Sequence, residues 1–255
     1  MSDLFNHPII TVRIHAGFNA NAFLGGLMAL TGQTAGTASA YLSLRFPKVK
    51  AEIAFEERFV NDIAGMTCRI LTPHEHAHRT PADILRFYDD STLSPAAHEK
   101  AAAIWRVLSE AEASVHGSTP EHIHFHEVGR LANILAVGLI ADFMTTIDPV
   151  ALVASPLPLT DGTVRCAHGQ VPYPAPSMFA MMKGLPVRPW DGEGEPVTPT
   201  GLAVLLGLGA RFGGWPRMRI TERATIFTPQ VFEGVPNGTL FAMGTPWEKE
   251  DDSNI

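Results

Sequence analysis

Apolar residues at Ala97, Ala101, Ile104, Leu108, Ala111 and Val115 recur at the spacing of one helix face. Ser94 caps that helix, Pro95 occupies its first turn, where a missing N–H costs nothing, and Gly117 ends it. The stretch from Leu131 to Met144 is apolar nearly all round, which predicts a helix buried in the centre of the domain. Between the two, EHIHFHEV carries polar and apolar residues in turn and reads as a strand. His122, His124 and His126 then share one face, while Ile123 and Phe125 turn into the core.

The same patterns organise the rest of the chain. IITVRI at residues 9–14 is β-rich, and the following AGFNANAFLGGLMALTG reads as a turn and a helix, capped by Asn19 or Asn21 and ending at Gly32. Residues 50–59 and 65–72 form two strands of a hairpin through VNDIA, whose Asn-Asp pair is a turn signal. PHEHAHRTP, bracketed by Pro73 and Pro81, is an exposed loop. ALVASPLPL is a further strand, and VPYPAPSMFAMMKG is a loop entering a short helix that stops at Gly184. In VTPTGLAVLLGLGARFG, Thr198 caps a helix and Pro199 takes its first position. Strands and helices alternate throughout, so the fold class is α/β or α+β, a mixed sheet covered by helices. Residues 1–245 make a single domain, and 246–255, PWEKEDDSNI, an acidic tail that frays.

Composition narrows the functional classes. The 255 residues are 45% hydrophobic and 18% charged, enough apolar material for a proper core. The net charge of −7 and the lack of a Lys/Arg run argue against nucleic acid as a partner. No basic n-region leads into a long apolar h-region, and no stretch reaches about 18 apolar residues, so a soluble cytoplasmic protein without membrane contact is expected. Cys68 and Cys166 lie far apart and outside any Cys-x-x-Cys pair, which signals neither disulfide framework nor thiolate zinc site and leaves structural thiols as the default.

Chemistry concentrates in a few places. Imidazoles on one strand face suit nickel, zinc, copper or iron(II), and Glu127 beside them serves as ligand, as acceptor for a ring N–H, or as base; a solvated face without ligand role is the alternative. His74, Glu75, His76 and His78 form a second cluster in a loop, where histidines capture metal loosely or have no specific role. His168, beside Gly169, sits in a strand-to-loop connection, where function concentrates. His116 closes a helix, a position that favours imidazolium through the dipole alone. Thr198, Thr200 and Gly201 offer hydroxyls and backbone N–H groups to an anion at a helix start, though plain capping explains Thr198 equally well.

HFHEVG, SPLPL, AHGQVPYPAP and TPTG, in this order and spacing, resemble the LarC nickel-insertion proteins. The resemblance begins at FLGGLMALTG, includes PHEHAHR and SEAEASVHG, and ends near GARFGGWP, so it spans most of residues 10–217 and only the N-terminal part of the family. It implies a lyase-type nickel insertase. Nickel(II) is delivered into a pyridinium-3,5-bisthiocarboxylic acid mononucleotide, giving the nickel-pincer cofactor of lactate racemase and related enzymes with consumption of CTP. The family's motifs fall on His124, His126 and Glu127, on His168 and Gly169, and on Thr198 to Gly201. The expected metal ligands are therefore His124, His126 and Glu127, with His74, His76 and His78 as a capture loop. Glu127 and His168 are expected to be catalytic, and Thr198, Thr200 and Gly201 to hold the substrate. CTP is expected on a C-terminal region that this chain lacks. The implied partners are the mononucleotide precursor, a separate C-terminal LarC-like polypeptide or an intact homologue, and a second copy of the chain.

The chain departs from the family pattern at four acidic positions, now Arg13, Asn21, Ala132 and Ala136. Carboxylates that neutralise a cation cannot be replaced by Ala or Arg without losing that charge. A non-catalytic LarC-like metal-binding or scaffold subunit therefore stands as the alternative. A metal-dependent hydrolase comes third, because the further ligating His and Asp it needs are missing.

Overall fold

The computed structural model describes residues 7–75, 78–166 and 169–247; His76, His168 and residues 248–255 of the acidic tail lie outside the described residues. In chain order the elements are β1 (Ile9–Ala16), α1 (Ala20–Leu30), α2 (Ala35–Arg45), β2 (Glu52–Val60), β3 (Ile63–Leu71), α3 (Pro81–Asp89) and α4 (Pro95–His116). Then come α5 (Leu131–Ile147), β4 (Ala151–Ala154), β5 (Leu157–Leu159), β6 (Gly162–Cys166), β7 (Gly169–Tyr173) and α6 (Pro176–Met181). The chain finishes with β8 (Val187–Pro189), α7 (Pro199–Gly207), β9 (Arg211–Phe212), β10 (Met218–Ile226) and β11 (Gly238–Pro246).

The main sheet is mixed and runs in the order β2-β3-β10-β11-β1-β4-β9. β1 pairs antiparallel with β11 and parallel with β4, and β2 pairs antiparallel with β3. The turn between β2 and β3 places Asn61 at φ 50° and Asp62 at φ 61°, the left-handed pair that matches the twist of a two-residue hairpin. Period-two alternation sorts β1 between two faces: Ile10, Val12 and Ile14 join the main core, while Ile9 meets Met218 and Ala242 in a smaller cluster. Helix α1 settles directly on the sheet, because a Cβ on Gly26 would lie 2.4 Å from the Phe241 ring and one on Gly25 2.7 Å from Cys68.

Helix α5 is buried as its apolar composition predicts, with Ile134 to Val137 and Leu139 to Ala141 inaccessible and Gly138 buried among them. Its one buried acid, Asp142, is satisfied by α2, where Arg45 Nε lies 2.6 Å away and the Tyr41 hydroxyl donates to the same oxygen. A buried carboxylate persists only with such partners. Helix α4 begins with the Ser94 side chain accepting from the Ala97 N–H and ends at Gly117 in the left-handed conformation. It packs on α5, α6 and α7.

Two expected strands are corrected. EHIHFHEV is not a strand: Pro120 starts a 3-10 turn through His122, a second such turn covers Glu127–Gly129, and between them Phe125 makes only an isolated bridge to Arg79. No neighbouring strand supplies a ladder, so the backbone winds instead. The burial alternation survives, with Ile123 and Phe125 inside, because Phe125 anchors on Trp105 with ring centroids 5.4 Å apart. ALVASPLPL breaks into β4 and β5 at Ser155 and Pro156. The Ser155 hydroxyl accepts from the Ile14 N–H at 3.0 Å, and Pro156 has no N–H with which to continue the ladder. Helices α2 and α3 and the paired strands β10 and β11 add elements that the apolar pattern does not announce. Among the described residues no helix is long and apolar enough to cross a membrane.

Candidate functional site

A cavity of about 680 Å³ opens where four helices, α1, α5, α6 and α7, begin. Its wall includes Asn19 and Asn21 from α1, Ala132 and Asn133 from α5, and Pro199 and Thr200 from α7. The α1 and α7 starts lie side by side because the Phe18 N–H donates to the Pro196 carbonyl at 2.9 Å and the Thr198 N–H to the Phe18 carbonyl at 3.0 Å. Gly201 permits that approach, since a Cβ there would lie 2.9 Å from Asn19 Cα and from the Phe18 carbonyl oxygen. Asn19 and Thr198 each cap their helix by accepting from the third N–H, at 2.8 and 3.2 Å. The N–H groups of Ala20, Asn21 and Thr200 have no partner within their helices, and these dipole ends favour an anion. The Gly201 N–H, in contrast, is already used by Thr198.

The histidine segments reach the cavity through a pinned loop. Glu75 forms an ion pair with Arg79 at 2.7 Å and accepts from the Leu131 N–H at the start of α5. Arg79 also donates to the Gly129 carbonyl at 2.8 Å, and its backbone exchanges hydrogen bonds with Phe125. This brings His78 against His126, ring centroids 4.5 Å apart and planes at 87°. His124, His126 and Glu127 line the cavity. His74 is exposed on the loop outside it, and His122 turns to the Thr119 hydroxyl at 2.9 Å. Of the remaining expected site residues, His76 and His168 lie outside the described residues. Among the described residues no three His, Cys, Asp or Glu side chains gather closely enough to hold a metal ion. The imidazoles offer pairs, and further donors must come from a bound ligand or from a shift of the loop.

Other groups line the same wall. His116, at the end of α4, lies 3.6 Å from Glu112, so it carries more than the helix dipole. Cys166 opens to the cavity, whereas Cys68 is buried under α1, its thiol pushed up to about 12 by burial. Glu195 is half-buried in the wall, and burial pushes its carboxyl up to about 7. Sequence reasoning missed it. GEGEPVTPTG holds two glutamates, and only the folded chain shows that Glu195 faces inward while Glu193 is exposed.

The four positions where acids are missing fall in different surroundings. Asn21 and Ala132 line the cavity, and the Asn21 side-chain oxygen is buried without a hydrogen-bond partner among the described residues. Ala136 is inaccessible in the core. Arg13 points elsewhere: it donates to the Gly213 and Gly214 carbonyls at 2.9 and 3.2 Å and lies over the Trp215 ring at 5.3 Å. It is not among the residues that line the cavity.

The family model described as nickel insertion protein matches residues 10–254. A relative from Geotalea daltonii, named as a nickel insertion protein, is 36% identical over 201 residues, covering 79% of this chain and 52% of its own length. Relatives of the same name from Syntrophotalea carbinolica and Roseiflexus castenholzii are each 39% identical, covering 72% and 75% of this chain and 48% of their own lengths. The chain thus spans about half the length of the curated relatives it matches. No solved structure matches it.

Proposed function

The chain belongs to the nickel insertion protein family, and from that premise we propose that it binds nickel(II) and delivers it into the pyridinium bisthiocarboxylate mononucleotide precursor of the nickel-pincer cofactor. The observation that carries this reading is the meeting, in one cavity, of the starts of α1, α5 and α7, beside that of the short α6, with His124, His126 and Glu127. A precursor bearing a phosphate and two thiocarboxylates is an anion, and helix starts favour anions. Thr198 and Thr200 hold its phosphate, and Gly201 lets the helix start lie close to α1. The imidazoles hold nickel(II) with an open coordination sphere, which the precursor's sulfur donors complete. An incomplete protein ligand set also suits a carrier that has to release its ion.

His74, His76 and His78 collect nickel on the loop, and the contact between His78 and His126 passes it inward. Glu127 is a further ligand or a base, and His168 acts on the bound precursor. The chain works in the cytoplasm together with a C-terminal LarC-like part that binds CTP, on the same polypeptide or on another. Asn21 and Ala132, which line the cavity where the LarC pattern carries acids, favour a second reading as a non-catalytic subunit beside an intact homologue. Reconstitution separates the two. Precursor, nickel(II) and CTP are supplied with this chain and a complementary C-terminal polypeptide, and lactate racemase activation is followed. Activation supports the insertase; its absence supports the subunit.

A further inference from the structure

Glu195 lines the same cavity three residues before the Thr198 cap of α7, and the roles given to the histidines and the helix starts leave it unused. It stands on the segment leading into α7 and makes no hydrogen bond or ion pair with another described residue. Glu112, His116, Arg130 and Arg165 line the same cavity, yet no charged neighbour among the described residues offsets its burial. From β7 the buried Tyr173 hydroxyl feels the Glu195 charge and, raised first by its own burial, stays protonated. Among the described residues that hydroxyl lacks a well-formed hydrogen bond, although the Val197 backbone tempers its shift. An unpaired carboxylate facing a cavity built for an anion is not there to bind that anion.

We propose that Glu195 is the proton acceptor of the insertion step, an inference that rests on the insertase reading above. Nickel(II) binds deprotonated donors, so metallation of a protonated ligand releases a proton. The thiocarboxylates are already anionic, so the bond that breaks is the ring C–H between them; its electron pair goes to nickel(II), and the proton forms an O–H bond on the Glu195 carboxylate. No electron is transferred, and nickel remains divalent. A surface carboxylate holds a proton too weakly for this task, and another imidazole would compete for the metal. A half-buried carboxyl, lifted toward neutrality by its surroundings, suits it.

The test uses the reconstituted insertion assay with wild type, Glu195→Gln and Glu195→Asp, alongside calorimetric binding of nickel(II) and of the precursor. The acting form is the carboxylate, so the wild-type rate should rise with pH through about 7 and then level off. Measured at saturating nickel(II) and precursor, Glu195→Gln should be slower by on the order of 10²-fold and lose that rise, with no loss of precursor affinity or of melting temperature. Glu195→Asp should recover part of the rate. An equally active Glu195→Gln variant with the same pH profile overturns this proposal alone. Loss of precursor affinity in that variant also overturns it, because Glu195 is then a binding residue. A wild type that inserts no nickel at any pH overturns both the proposal and the reading beneath it.

Discussion

His78 and His126 come from separate loops, yet their rings meet with centroids 4.5 Å apart and planes at 87°. If the pair forms a handover point for nickel(II), the two imidazoles act on one ion. Single His78→Ala and His126→Ala variants should each weaken nickel affinity at least tenfold, about 1.4 kcal/mol. The double variant should lose less than the sum, with a coupling of about 1 kcal/mol by double-mutant cycle. Strict additivity would mean that the rings touch without sharing a ligand.

The loop that carries His78 owes its place to Glu75, which joins Arg79 to the start of α5. The hydrogen bonds from Arg79, helped by the Leu131 N–H, hold the Glu75 carboxyl below its usual range. A lowered native pKa means that this stabilisation is complete above the ordinary carboxylate value and is lost as pH falls through the lowered one. Glu75→Gln should cost roughly 1–3 kcal/mol at neutral pH and flatten the acid side of the stability profile. Denaturant titrations between pH 3 and 7, roughly the range over which carboxylates titrate, measure both effects.

Gly201 faces the backbone of Asn19 and Phe18, which cannot yield as a flexible side chain would. Gly201→Ala should therefore destabilise the protein by about 1–3 kcal/mol through overpacking. Nickel affinity should be unchanged. A variant of normal stability that no longer binds the precursor would assign Gly201 to the ligand instead.

Asn21 and Ala132 each occupy the second position of a helix facing the cavity. Asp at either site meets a favourable dipole end, worth about 0.5 kcal/mol, and returns a negative charge to the wall. Asn21→Asp and Ala132→Asp should tighten nickel binding and weaken binding of the anionic precursor, both read by calorimetry. No change in either would show that the cavity charge does not govern its ligands.

Much of the frame is legible locally. Ser94, Pro95 and Gly117 bound α4, and the Asn61-Asp62 pair closes its hairpin, because caps and turns depend on residues close together in the chain. The mixed α/β sheet covered by helices follows from the alternation of such elements. EHIHFHEV misleads because a period of two describes only which side chains are buried. Whether the backbone extends depends on a partner strand, and Arg79 supplies a single bridge. β10 carries exposed Arg219, Thr221 and Glu222, so its partnership with β11 leaves little apolar trace. Helix α2 buries only Ala38 and Leu42, too few to set a helical period. At the cavity, His124, His126, Glu127 and Thr198 announce themselves by motif. Glu195, Cys166 and Glu112 do not, since their roles arise from burial and from neighbours distant in sequence.

The central claim, that this cavity is a nickel site, is tested most directly by calorimetric titration of nickel(II) into wild type and the His124→Ala/His126→Ala double variant. Binding in the wild type that falls by at least about 100-fold in the double variant, about 2.7 kcal/mol, is the predicted result. Equal affinity in the two proteins would contradict it and remove the HFHE histidines from the site.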